Sequence, residues 1–140
     1  MTSSEKKMQF EPSILIIGDD EYIRKTLAFI FRQAGYIVST TIIANGVSSY
    51  LESYIYDLII IDINLPQSNG GAMASEIHRL HPDLPIIILS DKLMSDTLSA
   101  EKGDLFINYL VKPVDPARIL DSVVELLSKS KPFLNTELHG

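Results

Sequence analysis

The chain has 140 residues, 46% of them hydrophobic, and a formal net charge of −6. This length suits one domain with a substantial core, and the apolar runs are far shorter than the roughly 18 residues of a membrane-spanning helix. The lack of cysteine excludes disulfides and thiolate metal sites. Because phosphate contacts need a basic face, the acidic balance argues against direct nucleic-acid binding. No secretory signal follows Lys6 and Lys7, so we expect a cytoplasmic protein that does not bind membranes.

Apolar runs of four or five residues alternate with helical patterns, an order typical of a parallel sheet covered by helices. The predicted strands are Ser13–Ile17, Tyr36–Thr41, Asp57–Ile61, Pro85–Ser90 and Phe106–Val111. The predicted helices are Tyr22–Ala34, Asn45–Tyr54, a third around Met73–Leu80, Met94–Lys102 and a last one around Ile119–Leu127. Gly35 is the expected C-terminal cap of the first helix. We therefore predict one α/β domain over residues 13–128, between mobile tails at 1–12 and 129–140.

Polar residues follow four of the five predicted strands at the point where each strand ends. They are Asp19 and Asp20, Asp62, Ser90 and Lys112. Ligands of an open α/β sheet bind beyond the carboxyl ends of its strands, so we expect these side chains to gather at one end of the sheet. Carboxylates, a hydroxyl and an ammonium group together suit the handling of a phosphoryl group and a divalent cation.

Each of these residues also has a structural explanation when it is taken alone. Asp19 or Asp20 can cap the first helix, and Asp62 can be a turn residue that leaves a strand. Ser90 is a common residue type at strand ends, and Lys112 can be an ordinary surface lysine. It is their joint occurrence on four separate strands that favours a functional site.

The set of motifs resembles the receiver domain of two-component response regulators. The matching segments are ILIIGDDEYIR, LIIIDINLP, IIILS and YLVKP, together with Gly70, eight residues beyond Asp62. The resemblance covers nearly all of residues 13–128 and is specific only as a set. It implies a flavodoxin-like, doubly wound sheet of five parallel strands in the order 2-1-3-4-5, with five helices.

The resemblance implies that Asp62 is the phosphoacceptor. A sensor histidine kinase or a histidine phosphotransfer protein would donate the phosphoryl group, and an acyl phosphate would form on the carboxylate. Ser90 would donate its hydroxyl to one phosphoryl oxygen, and Lys112 would pair with another. The Lys112–Pro113 peptide bond would be cis, although most X–Pro bonds are trans. Such a domain is a signalling module that catalyses only its own phosphorylation and dephosphorylation.

The cofactor that the resemblance implies is Mg²⁺, a hard cation that prefers oxygen ligands. Its implied ligands are Asp19, Asp62 and the backbone carbonyl of Asn64. Gly18 stands where the family usually has the first residue of an acidic pair, so one carboxylate is missing. We expect weak, roughly millimolar Mg²⁺ binding, with Asp20 as the candidate substitute ligand.

Two further positions depart from the family pattern. Asp91 replaces a small residue and either repels an incoming phosphate or turns outward to cap the next helix. Leu105 replaces a glycine, which predicts a local change in the loop after the fourth helix. In receivers the positions of Asn64 and Lys92 tune hydrolysis of the acyl phosphate, and the sequence does not give the sign of their effect here.

Tyr109 matches the switch aromatic of the family, while an ordinary half-buried strand tyrosine is its alternative interpretation. The face made by the predicted fourth helix, the fifth strand and the last helix would change on phosphorylation. It would then meet a downstream protein target or a second copy of the chain. Because only a dozen residues follow the predicted last helix, we expect a stand-alone receiver and not one fused to a DNA-binding domain.

Two alternative functions remain open from the sequence. The first is a pseudo-receiver, a phosphorylation-independent interaction module in which Gly18 marks a decayed site. The second is a small phosphatase with an aspartate nucleophile, which is disfavoured because Asn64 stands where its general acid would be. His78 and His81 have no evident third partner for zinc and are interpreted as solvated.

Overall fold

The computed structural model describes residues 11–42, 51–52, 54–62, 70–91 and 106–130. Within these ranges, five parallel strands form one sheet in the order β2-β1-β3-β4-β5. The strands are β1 (Ser13–Ile17), β2 (Ile37–Thr41), β3 (Leu58–Asp62), β4 (Ile86–Ser90) and β5 (Ile107–Val111). The helices are α1 (Glu21–Gln33), α2 (Gly70–Leu80) and α3 (Pro116–Ser130). The predicted α/β fold and strand order are confirmed, and each strand lies within one residue of its predicted bounds.

Parts of the predicted helical layer lie outside the described residues. The predicted fourth helix, Met94–Lys102, is one of them. From the predicted second helix, the structure describes residues 51 and 52, which are helical, and residue 54, which is not. The last helix continues past the predicted boundary at 128 to Ser130, and Lys129 on it pairs with Glu125 at 3.4 Å. Residues 1–10 and 131–140, both predicted as tails, are outside the described ranges.

The sheet is buried on both faces, which explains the unbroken apolar runs of its central strands. Successive side chains of a strand point to opposite faces, so each run supplies two separate cores. One core lies between the sheet and α1 and α3 and includes Ile14, Ile16, Phe31, Ile60 and Val123. The other lies on the α2 face and includes Leu15, Ile17, Ile59, Ile61 and Ile77. Full burial of each such aliphatic side chain contributes about 1.5–3 kcal/mol.

The end of α1 is fixed by a glycine in the left-handed conformation. Gly35 has φ +98°, and its N–H donates to the carbonyl of Arg32 at 3.0 Å. The N–H of Tyr36 donates to the carbonyl of Phe31, also at 3.0 Å, and the two rings pack edge to face at 6.2 Å. This is a Schellman motif with its hydrophobic contact, as the predicted C-terminal cap at Gly35 requires.

All five strands run in one direction, so their carboxyl ends share one end of the sheet. The register places Asp62 beside Leu89 and Ser90 beside Val111. The predicted polar residues therefore follow strands that finish at the same level. In the part of the chain that the structure describes, no helix is long and apolar enough to cross a membrane.

Candidate functional site

Asp62 and Lys112 form a buried ion pair at the carboxyl end of the sheet. Asp62 is the last residue of β3 and is 0% exposed, while the Lys112 side chain, just after β5, is 13% exposed. The Nζ of Lys112 donates to Oδ1 of Asp62 at 2.7 Å, a charge-assisted hydrogen bond across the intervening strand β4. The Lys112–Pro113 bond is cis, which confirms that prediction. The structure thus brings together two of the residues that the sequence singled out.

The second carboxylate oxygen of Asp62, Oδ2, has no hydrogen-bond partner among the described residues. A buried oxygen without a donor costs about 1–3 kcal/mol, so such an atom in a folded protein calls for an explanation. Burial raises the pKa of Asp62, the hydrogen bond and charge of Lys112 oppose this, and the charges of Asp20 and Asp91 raise it further. The site therefore places the negative charges of Asp20 and Asp91 near a buried carboxylate with one oxygen that lacks a hydrogen-bond partner among the described residues.

Asp19 and Asp20 have different structural environments. The side chain of Asp20 is the N-cap of α1, and its Oδ1 accepts a hydrogen bond from the N–H of Ile23 at 3.2 Å. Its charge also acts on Asp62. Asp19 is exposed. The helix-capping explanation that the sequence allowed for either residue therefore applies to Asp20, which lies close enough to influence Asp62 as well.

Gly18 provides the space that Asp62 occupies. A Cβ atom at Gly18 would lie 2.7 Å from the Cβ of Asp62 and 3.4 Å from its Oδ2. The first distance is shorter than real contacts between such atoms, and a Cβ cannot move away without its backbone. An acidic residue at position 18 would therefore require β1 and β3 to shift apart. The glycine removes one carboxylate and at the same time allows close packing on the Oδ2 side of Asp62.

Arg24 is a residue of the site that the sequence analysis did not single out. From the first turn of α1, its Nη1 donates to the carbonyl of Gly18 at 2.6 Å. The N–H of Gly18 in turn donates to the carbonyl of Thr41 at 3.0 Å. Both contacts fix the backbone just before Asp19. The sequence signal for this role was the position of Arg24, one helical turn after Asp19 and Asp20, from which a long side chain can reach their backbone.

Ser90, the last residue of β4, and Asp91, which follows it, lie beside Lys112. Ser90 is 7% exposed, and its carbonyl accepts a hydrogen bond from the N–H of Lys112 at 2.7 Å. Asp91 is 55% exposed, and its Oδ1 lies 3.3 Å from Nζ of Lys112. Burial alone lowers the pKa of Lys112, but the hydrogen bonds and charges of Asp62 and Asp91 outweigh burial and raise it. One ammonium group is therefore shared by two carboxylates.

A cleft of about 520 Å³ opens beside this ion-pair cluster, between α1 and the segment that follows β5. Its walls are mainly apolar and include Tyr22, Leu27 and Val114, while Asp91 and Lys112 also line it. Tyr22 is 77% exposed. Asp91 and Lys112 therefore border a mainly apolar surface.

The described residues include no group of three His, Asp or Glu side chains placed to hold a metal ion. Asn64, whose carbonyl is an expected ligand, lies outside the described residues. The residues that are described nevertheless fit a hard cation, because Oδ2 of Asp62 lacks a partner and Asp20 adds negative charge nearby.

The remaining predicted site residues are placed as follows. Tyr109 is half-buried on β5 and packs against the core on the α2 face. Lys92 and Leu105 lie outside the described residues. His78 and His81 belong to α2 and the turn after it, at the opposite end of the sheet from Asp62.

A family model described as the response regulator receiver domain matches residues 14–124. The chain belongs to this family. It is 32% identical to the DNA-binding transcriptional regulator NtrC of Azospirillum brasilense, over 86% of this chain and 25% of that protein. It is 30% identical to the aerobic respiration control protein ArcA of Escherichia coli K12, over 85% of this chain and 50% of that protein.

The fold is similar to that of solved receiver structures. The chemotaxis response regulator CheY4 of Vibrio cholerae has a TM-score of 0.72 and 22% identity, with 84% of this chain and 99% of that chain covered. This receiver chain spans only a quarter to a half of the length of the two curated relatives. Family membership makes it a receiver domain of the response regulators of two-component systems.

Proposed function

We propose that Asp62 accepts a phosphoryl group from a phosphorylated histidine of a partner protein. A carboxylate oxygen of Asp62 forms a bond to phosphorus as the phosphorus–nitrogen bond of the phosphohistidine breaks, and the electron pair of that bond stays on the imidazole. The product is an acyl phosphate. Lys112 pairs with a phosphoryl oxygen as a point charge, and the hydroxyl of Ser90 donates to another.

The observation that carries this proposal is the unequal bonding of the two Asp62 oxygens. Oδ1 is held by Lys112 at 2.7 Å, while Oδ2 is buried and lacks a partner among the described residues. A carboxylate fixed at one oxygen and open at the other is oriented for attack, because the ion pair limits its rotation. The ammonium group, 2.7 Å from Oδ1, would pair with charge that develops on the phosphoryl oxygens.

The proposed cofactor is Mg²⁺, which would be held by Asp19, the carboxylate of Asp62 and the carbonyl of Asn64, with Asp20 as the additional acid. The described part of this set supports a cation, because the carboxylate of Asp20 adds negative charge close to Asp62. When bound, the ion would neutralise negative charge on the phosphoryl oxygens. Arg24 would keep the acidic loop in place through the carbonyl of Gly18.

Intact mass after incubation with acetyl phosphate and Mg²⁺ tests the acceptor. The wild-type protein should gain one phosphoryl group, and the Asp62→Asn variant should gain none. Asp83→Asn, which removes an exposed carboxylate at the other end of the sheet, should be modified like the wild type. Unmodified wild type would favour the pseudo-receiver alternative, and a modified Asp62→Asn variant would move the acceptor elsewhere.

We further propose that the cleft beside Lys112 receives the histidine-bearing donor protein. Tyr22 lines this cleft, whereas Phe29, which is 64% exposed on the same helix, does not. Removal of an exposed aromatic anchor commonly costs over 1 kcal/mol of binding, so Tyr22→Ala should slow transfer from a protein donor about tenfold. Transfer from acetyl phosphate should be unchanged.

Phe29→Ala is the matched control and should transfer at the wild-type rate from both donors. The comparison requires a histidine kinase or phosphotransfer protein that phosphorylates the wild type. Equal rates for both variants with that donor would place the docking surface elsewhere. A loss with acetyl phosphate as well would mean that Tyr22 supports the site itself.

The output proposed for the phosphorylated state is a change of the face that includes β5 and α3, with Tyr109 as its reporter. Tyr109 lies on β5 and the acceptor-pairing Lys112 directly follows β5, so a movement of Lys112 would act on the strand that carries Tyr109. Amide chemical shifts with and without beryllofluoride should change along β5 and α3. A response confined to the ion-pair cluster would argue against binding of a target, or of a second copy, through this face.

A further inference from the structure

Lys112 is the positively charged group closest to Asp62 among the described residues, and it is not reserved for Asp62. Its Nζ lies 2.7 Å from Asp62 Oδ1 and 3.3 Å from Asp91 Oδ1. Asp91 is half-exposed, whereas Asp62 is fully buried. The second carboxylate therefore reaches the ammonium from the solvent side, along the cleft that Asp91 and Lys112 line.

A phosphoryl group on Asp62 would need the same ammonium. It would bring negatively charged oxygens to within hydrogen-bond range of Lys112, and Asp91 already holds one of the directions from which Nζ can donate. Two unit charges a few ångström apart still interact appreciably near a protein surface. Asp91 would thus act on the phosphoryl group twice, by occupying its cation and by direct repulsion.

We propose that Asp91 is a positioning residue that opposes phosphorylation by holding Lys112 and repelling anions at Asp62. In the unphosphorylated protein, its carboxylate gives the ammonium of Lys112 a second partner beside Asp62. On phosphorylation, the Asp91–Lys112 contact is given up, so this charge favours the unphosphorylated state. The proposal rests on the function proposed for Asp62 and concerns the carboxylate charge of Asp91 and not its size.

Beryllofluoride is the probe, because it adds to an aspartate carboxylate as an anionic mimic of the phosphoryl group without a donor protein. Its affinity is measured by NMR titration in the presence of Mg²⁺ for the wild type and for Asp91→Asn, Asp91→Ala and Asp91→Glu. Asp83→Asn removes the same charge far from the site and is the matched control. The rate of labelling by acetyl phosphate, itself an anion, is measured on the same five proteins.

Asp91→Asn and Asp91→Ala should each tighten beryllofluoride binding about tenfold at low salt, and less at high salt where partly exposed charges are screened. Asp91→Glu, which keeps the charge, should stay close to the wild type, as should Asp83→Asn. Labelling by acetyl phosphate should follow the same order. A purely structural role of Asp91 would not separate the neutral variants from the glutamate variant.

Each other outcome overturns the proposal. Equal affinity of the wild type and Asp91→Asn would show that the Asp91 charge does not matter, while the function of Asp62 stands. Tightening in Asp91→Ala alone would assign the effect to side-chain size, and tightening in Asp83→Asn would assign it to net charge. If no protein binds beryllofluoride or is labelled, the function proposed for Asp62 falls as well.

Discussion

Asp62 has a cationic side toward β5 and an open side toward β1. The two sides differ in how the carboxylate oxygens are bonded. On the cationic side, Lys112 bonds Oδ1 at 2.7 Å within the folded chain. On the side called open here, Oδ2 is buried but has no hydrogen-bond partner among the described residues. It faces Gly18, a position without a side chain, where an added Cβ would lie 3.4 Å from it. The backbone there is held in place by Arg24.

This difference indicates which part of the site is permanent and which part is exchangeable. The ammonium of Lys112 is part of the fold, and it limits the cost of burying a carboxylate in the sheet. It does not remove that cost, because burial together with Asp20 and Asp91 still raises the pKa of Asp62. The proposed cation and phosphoryl group would meet the negative charge that Lys112 does not balance.

The largest expected effect comes from removing the permanent partner. Lys112→Met leaves Asp62 buried without a counter-charge and should lower the free energy of unfolding by about 3 kcal/mol at pH 7. Lys129→Met removes an exposed partner of Glu125 and should change it by less than about 0.5 kcal/mol. Urea denaturation of the two variants measures both values.

The pH dependence of the Lys112→Met deficit checks its cause. The pKa of Asp62 is raised by burial, so the folded state binds a proton more readily than the unfolded state does. The penalty of a buried charge is therefore present at neutral pH and is recovered as pH falls through the folded-state pKa. The deficit should shrink on going from pH 7 toward pH 5. A deficit that does not depend on pH would point to lost packing instead of charge.

The sequence predicted most of the cationic side of the site and little of the open side. The apolar runs predict the strands. A parallel sheet is then sufficient to place Asp62, Ser90 and Lys112 at one end of it. Each of these residues follows a strand, so its location depends on a repeating geometry. The pairing of Lys112 with Asp62 then requires only a long side chain with the opposite charge.

The contacts on the open side depend on distances that the periodicity of strands and helices does not predict. Which of Asp19 and Asp20 caps α1 depends on where the helix begins, to within one residue. The contact between Gly18 and Asp62 depends on the exact approach of two strands, and the sequence shows only a missing acid. The contact of Asp91 with Lys112 depends on the side-chain conformations of both residues, and the sequence left two orientations of Asp91 open. These three contacts are visible only in the folded structure.

The next largest effect should come from filling the space at Gly18. Gly18→Ala adds a Cβ that would lie 2.7 Å from the Cβ of Asp62, and overpacking of this kind costs about 1–3 kcal/mol. Asp62→Gly removes the Cβ of Asp62 that the added Cβ would clash with. Gly18→Ala should therefore lower the free energy of unfolding by less in that background. Thermal or urea unfolding of the four proteins of this double-mutant cycle measures the coupling.

Additive losses in that cycle would mean that Gly18 and Asp62 do not compete for space. The same contact changes how a charge can be restored at this position. Gly18→Asp adds a carboxylate but also adds the Cβ, so its effect on Mg²⁺ binding combines the added charge with overpacking against Asp62. Substitutions of Asp19 and Asp20, which already have side chains, test the charge at this site without overpacking.

The smallest expected effect concerns the charge that attracts the cation on the open side. Asp20→Asn removes one negative charge but keeps the cap of α1, because asparagine is as good an N-cap residue as aspartate. We expect Mg²⁺ binding to weaken about three- to tenfold. Asp19→Asn should weaken it similarly if this exposed acid turns inward to the cation. Glu21→Gln, whose carboxylate is bonded to Lys25 in the first turn of α1, should bind Mg²⁺ like the wild type.

A Mg²⁺ titration followed by amide NMR shifts separates these contributions, since each variant retains its fold and differs by one charge. Weakening in Asp20→Asn alone would make Asp20 the replacement for the acid missing at Gly18. Weakening in Asp19→Asn alone would limit Asp20 to its capping role. If neither variant differs from Glu21→Gln, no cation is held on the open side by these acids. Among the described residues, Lys112 would then be the cation that pairs with Asp62 and with the proposed phosphoryl group, and Asp91 would compete with both for its ammonium.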